Sequence, residues 1–280
     1  MFEKKKIAFI GPGTMAEAMI AGLLREKIAP SKNLLASGPR LERVEELKEK
    51  YSIVPYTDNA EAARQAEVVV LSVKPQRIDK VLQGLKGAVK AEALVLSIVA
   101  GAPIAKITTM LDHPTAIRAM PNTPARIGEG ITVWTAVENA SEEQRELGRQ
   151  ILLALGKEVF VEEEEFLDKA TALSGTGPAY VYLFMEAMVD AGVHLGFSRR
   201  IAEELVVETL RGSVDYYDRG GEARHLARLR NQVTSPGGTS AEALYYLEKA
   251  GFRTAISRAI WAAYERSVSL GSGKKKGELE

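Results

Sequence analysis

The chain has 280 residues, 46% hydrophobic and 26% charged, a globular make-up with room for two domains. Lys plus Arg equals Asp plus Glu at 37 each, so the net charge draws the molecule to neither nucleic acid nor an anionic membrane. The absence of cysteine excludes thiol nucleophiles, disulfides and cysteine metal sites.

Lys4, Lys5 and Lys6 precede an apolar run too short for a signal peptide, and no apolar stretch reaches the roughly 18 residues of a membrane span. A cytoplasmic location with no membrane partner is the expectation. Ile7-Ala8-Phe9-Ile10 is the kind of run that fills a buried parallel strand. Gly11-Pro12-Gly13-Thr14-Met15-Ala16 follows as a glycine turn into a helix over 14–27. Gly11 permits the tight turn, Gly13 leaves the backbone open to a pyrophosphate, and Ala16 lets helix and strand pack closely. The helix N-terminus suits an anion, so the unit reads as dinucleotide-binding.

A second strand over 34–36 ends in Ser37-Gly38-Pro39-Arg40. An acidic residue there would bind the ribose 2′-OH of NAD, and none is present; Ser37 and Arg40 suit a 2′-phosphate, which leans to NADP. A solvated helix-start arginine is the competing reading of Arg40. Helices are expected over 41–50 and 59–65, the latter capped by Asp58. A strand over 68–73 leads into Lys74-Pro75-Gln76, with Pro75 in a first helical turn and Lys74 at a strand's carboxyl end, where such folds bind ligands. A strand over 94–99 is followed by Ala100-Gly101-Ala102, which leaves room for a flat ring.

Ala116-Ile117-Arg118 leads into Met120-Pro121-Asn122-Thr123-Pro124, a loop that its prolines make rigid. A strand over 131–135, a helix over 142–155 capped by Gly156, and a strand over 158–161 complete the first half. The alternation predicts an α/β Rossmann domain with a doubly wound, mostly parallel sheet over residues 1–164. The acidic run 162–165 reads as a linker and helix start.

Beyond it no strand is expected. A helix opens at Gly175-Thr176-Gly177-Pro178-Ala179, and residues 180–195 carry only Glu186 and Asp190 as charges. A helix apolar on most sides is buried on most sides, and a partner chain would help cover it, so a homo-oligomer is expected. Further helices are expected over 199–217, 223–231, 241–249 and 252–270. Residues 165–270 thus form an all-α domain, and 271–280 a flexible tail.

His113, His194 and His225 lie in separate segments without metal-ligand spacing and read as helix-end or surface residues; no metal is expected. Hydride transfer fits a chain with no strong side-chain base, because the cofactor carries the hard step. Ser235-Pro236-Gly237-Gly238-Thr239-Ser240 is a second glycine turn, a cradle for a carboxylate or phosphate. The competing reading is plain N-capping by Thr239 or Ser240.

Ile10-Gly11-Pro12-Gly13-Thr14-Met15-Ala16, Val73-Lys74-Pro75-Gln76, Met120-Pro121-Asn122-Thr123-Pro124, Leu173-Ser174-Gly175-Thr176-Gly177-Pro178-Ala179-Tyr180 and Ser235-Pro236-Gly237-Gly238-Thr239-Ser240 together resemble the successive motifs of the pyrroline-5-carboxylate reductases. The resemblance implies reduction of 1-pyrroline-5-carboxylate to L-proline with NADPH, or with NADH as the alternative. It also implies a helical dimerisation domain after the Rossmann domain, with dimers assembling into rings such as decamers. Under it, Gly11, Pro12, Gly13, Thr14 and Met15 hold the pyrophosphate, and Ser37, Arg40 and Asn59 lie by the adenosine ribose. Val73, Lys74, Pro75, Val99 and Ala100 line the nicotinamide. Gly238, Thr239 and Ser240 take the substrate carboxylate, with the Ser240 hydroxyl facing the ring nitrogen as the catalytic group. Glu164 and Glu222 fall at further substrate-pocket positions.

The sequence departs from the family pattern in three places: serine for threonine at 240, no histidine-proline pair near Glu222, and Gly38 where some members carry a serine for the 2′-phosphate. A hydroxyacid dehydrogenase would carry a lysine on the long helix, and 180–195 has none. The remaining alternatives are a reductase of a related cyclic imine and a catalytically silent NADPH-binding regulator.

Overall fold

The computed structural model describes residues 2–220 and 225–272. The chain divides into two compact units, Met1–Pro178 with Ala262–Glu280, and Ala179–Trp261.

The first unit is built on eight strands: β1 (Ile7–Ile10), β2 (Leu34–Ser37), β3 (Val54–Tyr56), β4 (Val68–Leu71), β5 (Leu94–Ser97), β6 (Ala116–Met120), β7 (Gly130–Ala136) and β8 (Gly156–Phe160). Their order in the sheet is β3-β2-β1-β4-β5-β6-β7-β8, parallel throughout except for the antiparallel β6–β7 pair. Every residue of β1, β2, β4 and β5 is buried, because helices cover both faces. Phe9, Val68 and Val70 face a core shared with Met19 and Leu23 of α1 (Thr14–Arg25) and Ile151 of α6 (Glu142–Leu153). Ala8, Ile10, Val69 and Leu71 face the other, shared with α3 (Asn59–Gln65), α4 (Ile78–Leu85) and α5 (Ile104–Leu111). α2 (Leu41–Tyr51) contributes Leu47 to the first core. The sheet order reverses between β1 and β4, the switch point outside which ligands bind in such sheets.

Local chemistry sets several boundaries. The Asp58 carboxylate accepts from the amides of Ala60 and Glu61, as its position predicts. Ser141 and Gln144 form a capping box that starts α6. Two elements, β3 and α5, were not expected. The helix end at Gly156 is corrected: α6 stops at Leu153, and Gly156, at φ +130°, opens β8. A Cβ there would lie 2.2 Å from the Gly130 carbonyl oxygen, so the glycine serves the close approach of β7.

After β8 every regular element among the described residues is helical. α7 (Phe166–Ala170) and a π-helical turn, Thr171–Gly175, precede α8 (Gly177–His194). α9 (Arg199–Arg219), α10 (Leu226–Gln232), α11 (Thr239–Lys249) and α12 (Phe252–Ser272) follow. α12 runs through Gly271 and Ser272, so the first two residues of the expected tail are helical; the rest lie outside the described residues. The second unit has a small core of Val189, Ala202 and Val206. The expected burial of α8 is corrected for a single chain: Val189 alone of its residues is buried, and Leu183 is 67% exposed. One chain has too few helices to cover a surface apolar all round. No helix among the described residues is long and apolar enough to cross a membrane.

Candidate functional site

The first glycine turn sits at the carboxyl ends of β1 and β4. Gly11 adopts φ +92°, and a Cβ on it would lie 2.5 Å from Val73 Cγ1. The Gly11 amide donates to the Ser37 carbonyl at 2.9 Å. The Ser72 hydroxyl donates toward the carbonyls of Ile10 and Gly11, at 3.1 and 2.9 Å, and ties the turn to β4. The Gly13 amide is already used, donating to the Gly11 carbonyl at 2.7 Å. That leaves the first amides of α1, on Thr14, Met15 and Ala16, without an intrahelical acceptor. A Cβ on Gly13 would have no neighbour nearer than 4.0 Å, so the backbone here is open. Free amides, a helix N-terminus and an open glycine fit the pyrophosphate of a dinucleotide.

Gly11, Pro12, Gly13, Arg40, Val73 and Lys74, all expected from the sequence, line one cleft. Ser37 lies fully buried, its hydroxyl donating to Asn59 Oδ1 at 2.8 Å, so that pair stands together as expected. The Arg40 side chain is exposed at the N-cap of α2 and has no partner among the described residues. A Cβ on Gly38 would meet Pro12 Cδ at 2.6 Å, so a serine at 38 cannot stand on this backbone unless Pro12 moves. Pro75 opens a short 3-10 turn after Lys74. Val99 is buried and Ala100 half-buried beyond the end of β5. These three do not line the cleft of the glycine turn.

Sequence reasoning missed Arg43, which also lines this cleft. Its Nε donates to the Pro12 carbonyl at 3.0 Å, and its guanidinium pairs with Glu17 and Glu46. Glu17 also accepts from Lys50 and from the Tyr51 hydroxyl. Burial would push the Glu17 carboxyl up, but the Lys50, Arg43 and Tyr51 hydrogen bonds outweigh it and hold the pKa at about 2. The same pairs raise the Arg43 pKa against its own burial. Arg43 is therefore a strap across the turn, largely neutralised by two glutamates, whereas Arg40 and Lys74 form no ion pair among the described residues. Arg43 and Glu17 stand on different helices, and no spacing along the chain links them.

In the second unit, Gly237 adopts φ +70°, and a Cβ on Gly238 would meet Ser235 Oγ at 2.5 Å. Gly238 is the N-cap of α11, which starts at Thr239, two residues earlier than expected. Neither Thr239 nor Ser240 therefore acts as the N-cap. The Gly238 amide donates to the Ser235 carbonyl at 3.1 Å, and the Ala241 amide to Gly238 at 3.1 Å. The amides of Thr239 and Ser240 remain free, and the half-buried Ser240 hydroxyl has no partner among the described residues.

Glu164 accepts from the Ile104 amide at 2.8 Å and from Arg118 Nη1 at 2.9 Å. Glu222 lies outside the described residues. His194 and His225 are exposed at helix ends, whereas His113, just past the end of α5, is buried, with Nε2 2.7 Å from the Ala93 carbonyl oxygen. No cluster among the described residues could hold a metal ion.

Residues 164–270 match the family model described as pyrroline-5-carboxylate reductase dimerisation, and residues 6–101 match that of the NADP oxidoreductases described as coenzyme F420-dependent. The chain is 40% identical over 266 residues to the pyrroline-5-carboxylate reductase of a Synechocystis species, covering 95% of this chain and 98% of that one. Identity to the Pseudomonas aeruginosa pyrroline-5-carboxylate reductase is also 40%, over 95% of this chain and 96% of the relative. The crystal structure of Plasmodium falciparum pyrroline carboxylate reductase with NADP bound superposes with a TM-score of 0.88 at 33% identity, covering 97% of this chain and all of that one.

Proposed function

Because the chain belongs to the pyrroline-5-carboxylate reductase family, we infer that it reduces 1-pyrroline-5-carboxylate to L-proline with NAD(P)H. When bound, a reduced nicotinamide would supply a hydride to the imine carbon, C2 of the pyrroline ring and C5 of the proline product, with the proton on nitrogen drawn from solvent, a CH–NH oxidoreduction. The observation that carries the reading beyond family membership is the start of α11, where two free amides and an unpartnered hydroxyl lie side by side. The amides of Thr239 and Ser240 bind the substrate carboxylate, with Gly238 shaping the turn. The Ser240 hydroxyl hydrogen-bonds the ring nitrogen. It orients the ring and exchanges the imine proton with solvent, because an unperturbed hydroxyl is a poor general acid near pH 7.

The amides of Thr14 and Met15, on the turn made by Gly11, Pro12 and Gly13, hold the pyrophosphate. Arg40 takes the 2′-phosphate beside Ser37 and Asn59, which favours NADPH over NADH. Val73, Lys74, Pro75, Val99 and Ala100 flank the nicotinamide. Glu164 and Glu222 are further substrate-binding positions of this reading. Residues 1–164 form the NAD(P)-binding domain, and 165–270 the dimerisation and substrate-binding domain. Dimers assemble further into a decamer, in the cytoplasm.

The test is oxidation of NADPH, followed at the nicotinamide absorbance with 1-pyrroline-5-carboxylate, and NADH run in parallel. Turnover with a higher kcat/KM for NADPH is expected. Tight NADPH binding without turnover would overturn the substrate assignment and favour another cyclic imine or a regulator.

A further inference from the structure

Arg118 on β6 is 3% exposed, and its guanidinium reaches Glu164 at 2.9 Å and Asp168 at 3.2 Å. A charge this deeply buried requires its partners, so both carboxylates are fixed in place. Each carries a second donor from a distant part of the chain. The Ile104 amide, the first of α5, donates to Glu164, and the Ser267 hydroxyl on α12 donates to Asp168 at 2.7 Å. One turn beyond Ser267, the backbone of α12 presses on the loop between β5 and α5. A Cβ on Gly101 would lie 2.9 Å from both the Gly271 nitrogen and Leu270 Cβ, and a Cβ on Gly271 would lie 3.2 Å from the Gly101 carbonyl oxygen. Gly101 itself sits at φ +65°.

The loop is therefore held at its end, through Glu164, and at its apex, by α12. All these residues belong to the first unit. Val99 and Ala100 lie between the end of β5 and the hold at Gly101. We propose that Ser267 and Gly271 are positioning residues for the nicotinamide end of the cofactor, acting through the loop that carries Val99 and Ala100. The proposal rests on the reading above that these two residues flank the nicotinamide. A glycine-containing loop is intrinsically permissive, and hydride transfer needs the two reacting carbons held in near-attack geometry. The end of α12 supplies the constraint that the loop's own sequence lacks.

The test compares Ser267→Ala, Ser267→Thr and Gly271→Val with the parent enzyme, using NADPH and 2′,5′-ADP as ligands. The second probe has the adenosine half and no nicotinamide. Ser267→Ala and Gly271→Val are expected to weaken NADPH several-fold and lower kcat about tenfold or more. Binding of 2′,5′-ADP is expected to stay unchanged, and Ser267→Thr, which keeps the hydroxyl, restores the parent values. Equal losses for both ligands, or no change in either, would overturn the proposal. Ala100→Val, in the loop itself, separates the proposal from its premise. If that variant leaves NADPH binding and kcat at parent values, the nicotinamide assignment fails and the proposal with it. If it acts while the α12 variants do not, the positioning role alone fails. Should Gly271→Val not fold, the Ser267 pair decides.

Discussion

At Glu17 three polar groups, Arg43, Lys50 and Tyr51, meet around one carboxylate, and the result is a pH dependence with a defined sign. The carboxyl titrates at about 2 in the folded chain against an ordinary 4.5. A depressed carboxylate contributes stability that is complete above the unfolded value and disappears as pH falls through the folded one. Discounted for solvent screening, that contribution is about 1–2 kcal/mol. Glu17→Gln should therefore melt below the parent at neutral pH, and the two melting curves should converge as pH falls from 4.5 toward 2. A difference that persists at the acid end would show that shape, not charge, is lost. Because Arg43 joins Glu17 to the Pro12 carbonyl, the same variant should also weaken NADPH. At Ser240, Ser240→Ala should lower kcat about 10- to 100-fold. Unchanged kcat and KM would remove the hydroxyl from the mechanism.

Among the elements, β1, β4 and β5 were legible because a strand buried on both faces needs an unbroken apolar run, and each supplies one. β3 was not: it is three residues long and contains Pro55, which only an edge strand tolerates. α5 was missed for another reason. Ile104, Ile107 and Leu111 face the core at helical spacing, but the segment is short and β-branched, and packing overrides its propensity. The two glycine turns were legible because both need a backbone that a side chain forbids. Their strain is separable by experiment. Gly237→Ala meets no neighbour within 4 Å, so it should cost only the left-handed backbone penalty, about 1–2 kcal/mol in a denaturation curve. Gly11→Ala adds a collision with Val73 and should in addition abolish tight NADPH binding. Equal stability losses and intact NADPH affinity in both would mean that the first turn tolerates displacement.

For the whole molecule, residues 164–270 match a dimerisation model, and within them α8 carries apolar side chains that a single chain leaves exposed. A single chain leaves Tyr182 and Leu183 more than half exposed, an arrangement suited to a covering surface from a second copy. Leu183→Glu should therefore leave the fold of the first unit intact, as judged by NADPH binding, while shifting the sedimentation coefficient to that of a smaller species. An unchanged oligomer would place the interface elsewhere.

The sequence by itself determined the glycine turns, the apolar strands between them, the change to helices after β8 and the hydroxyl at position 240. Each is a requirement of local backbone geometry or local periodicity, and such requirements are written in neighbouring residues. The tertiary structure decided the rest: that Arg43 straps Pro12, that Arg118 ties β6 to α7, and that α12 returns to the Gly101 loop. These contacts join residues tens to more than a hundred positions apart. No periodicity records such a pairing; only the folded sheet and its helices bring the partners within bonding distance.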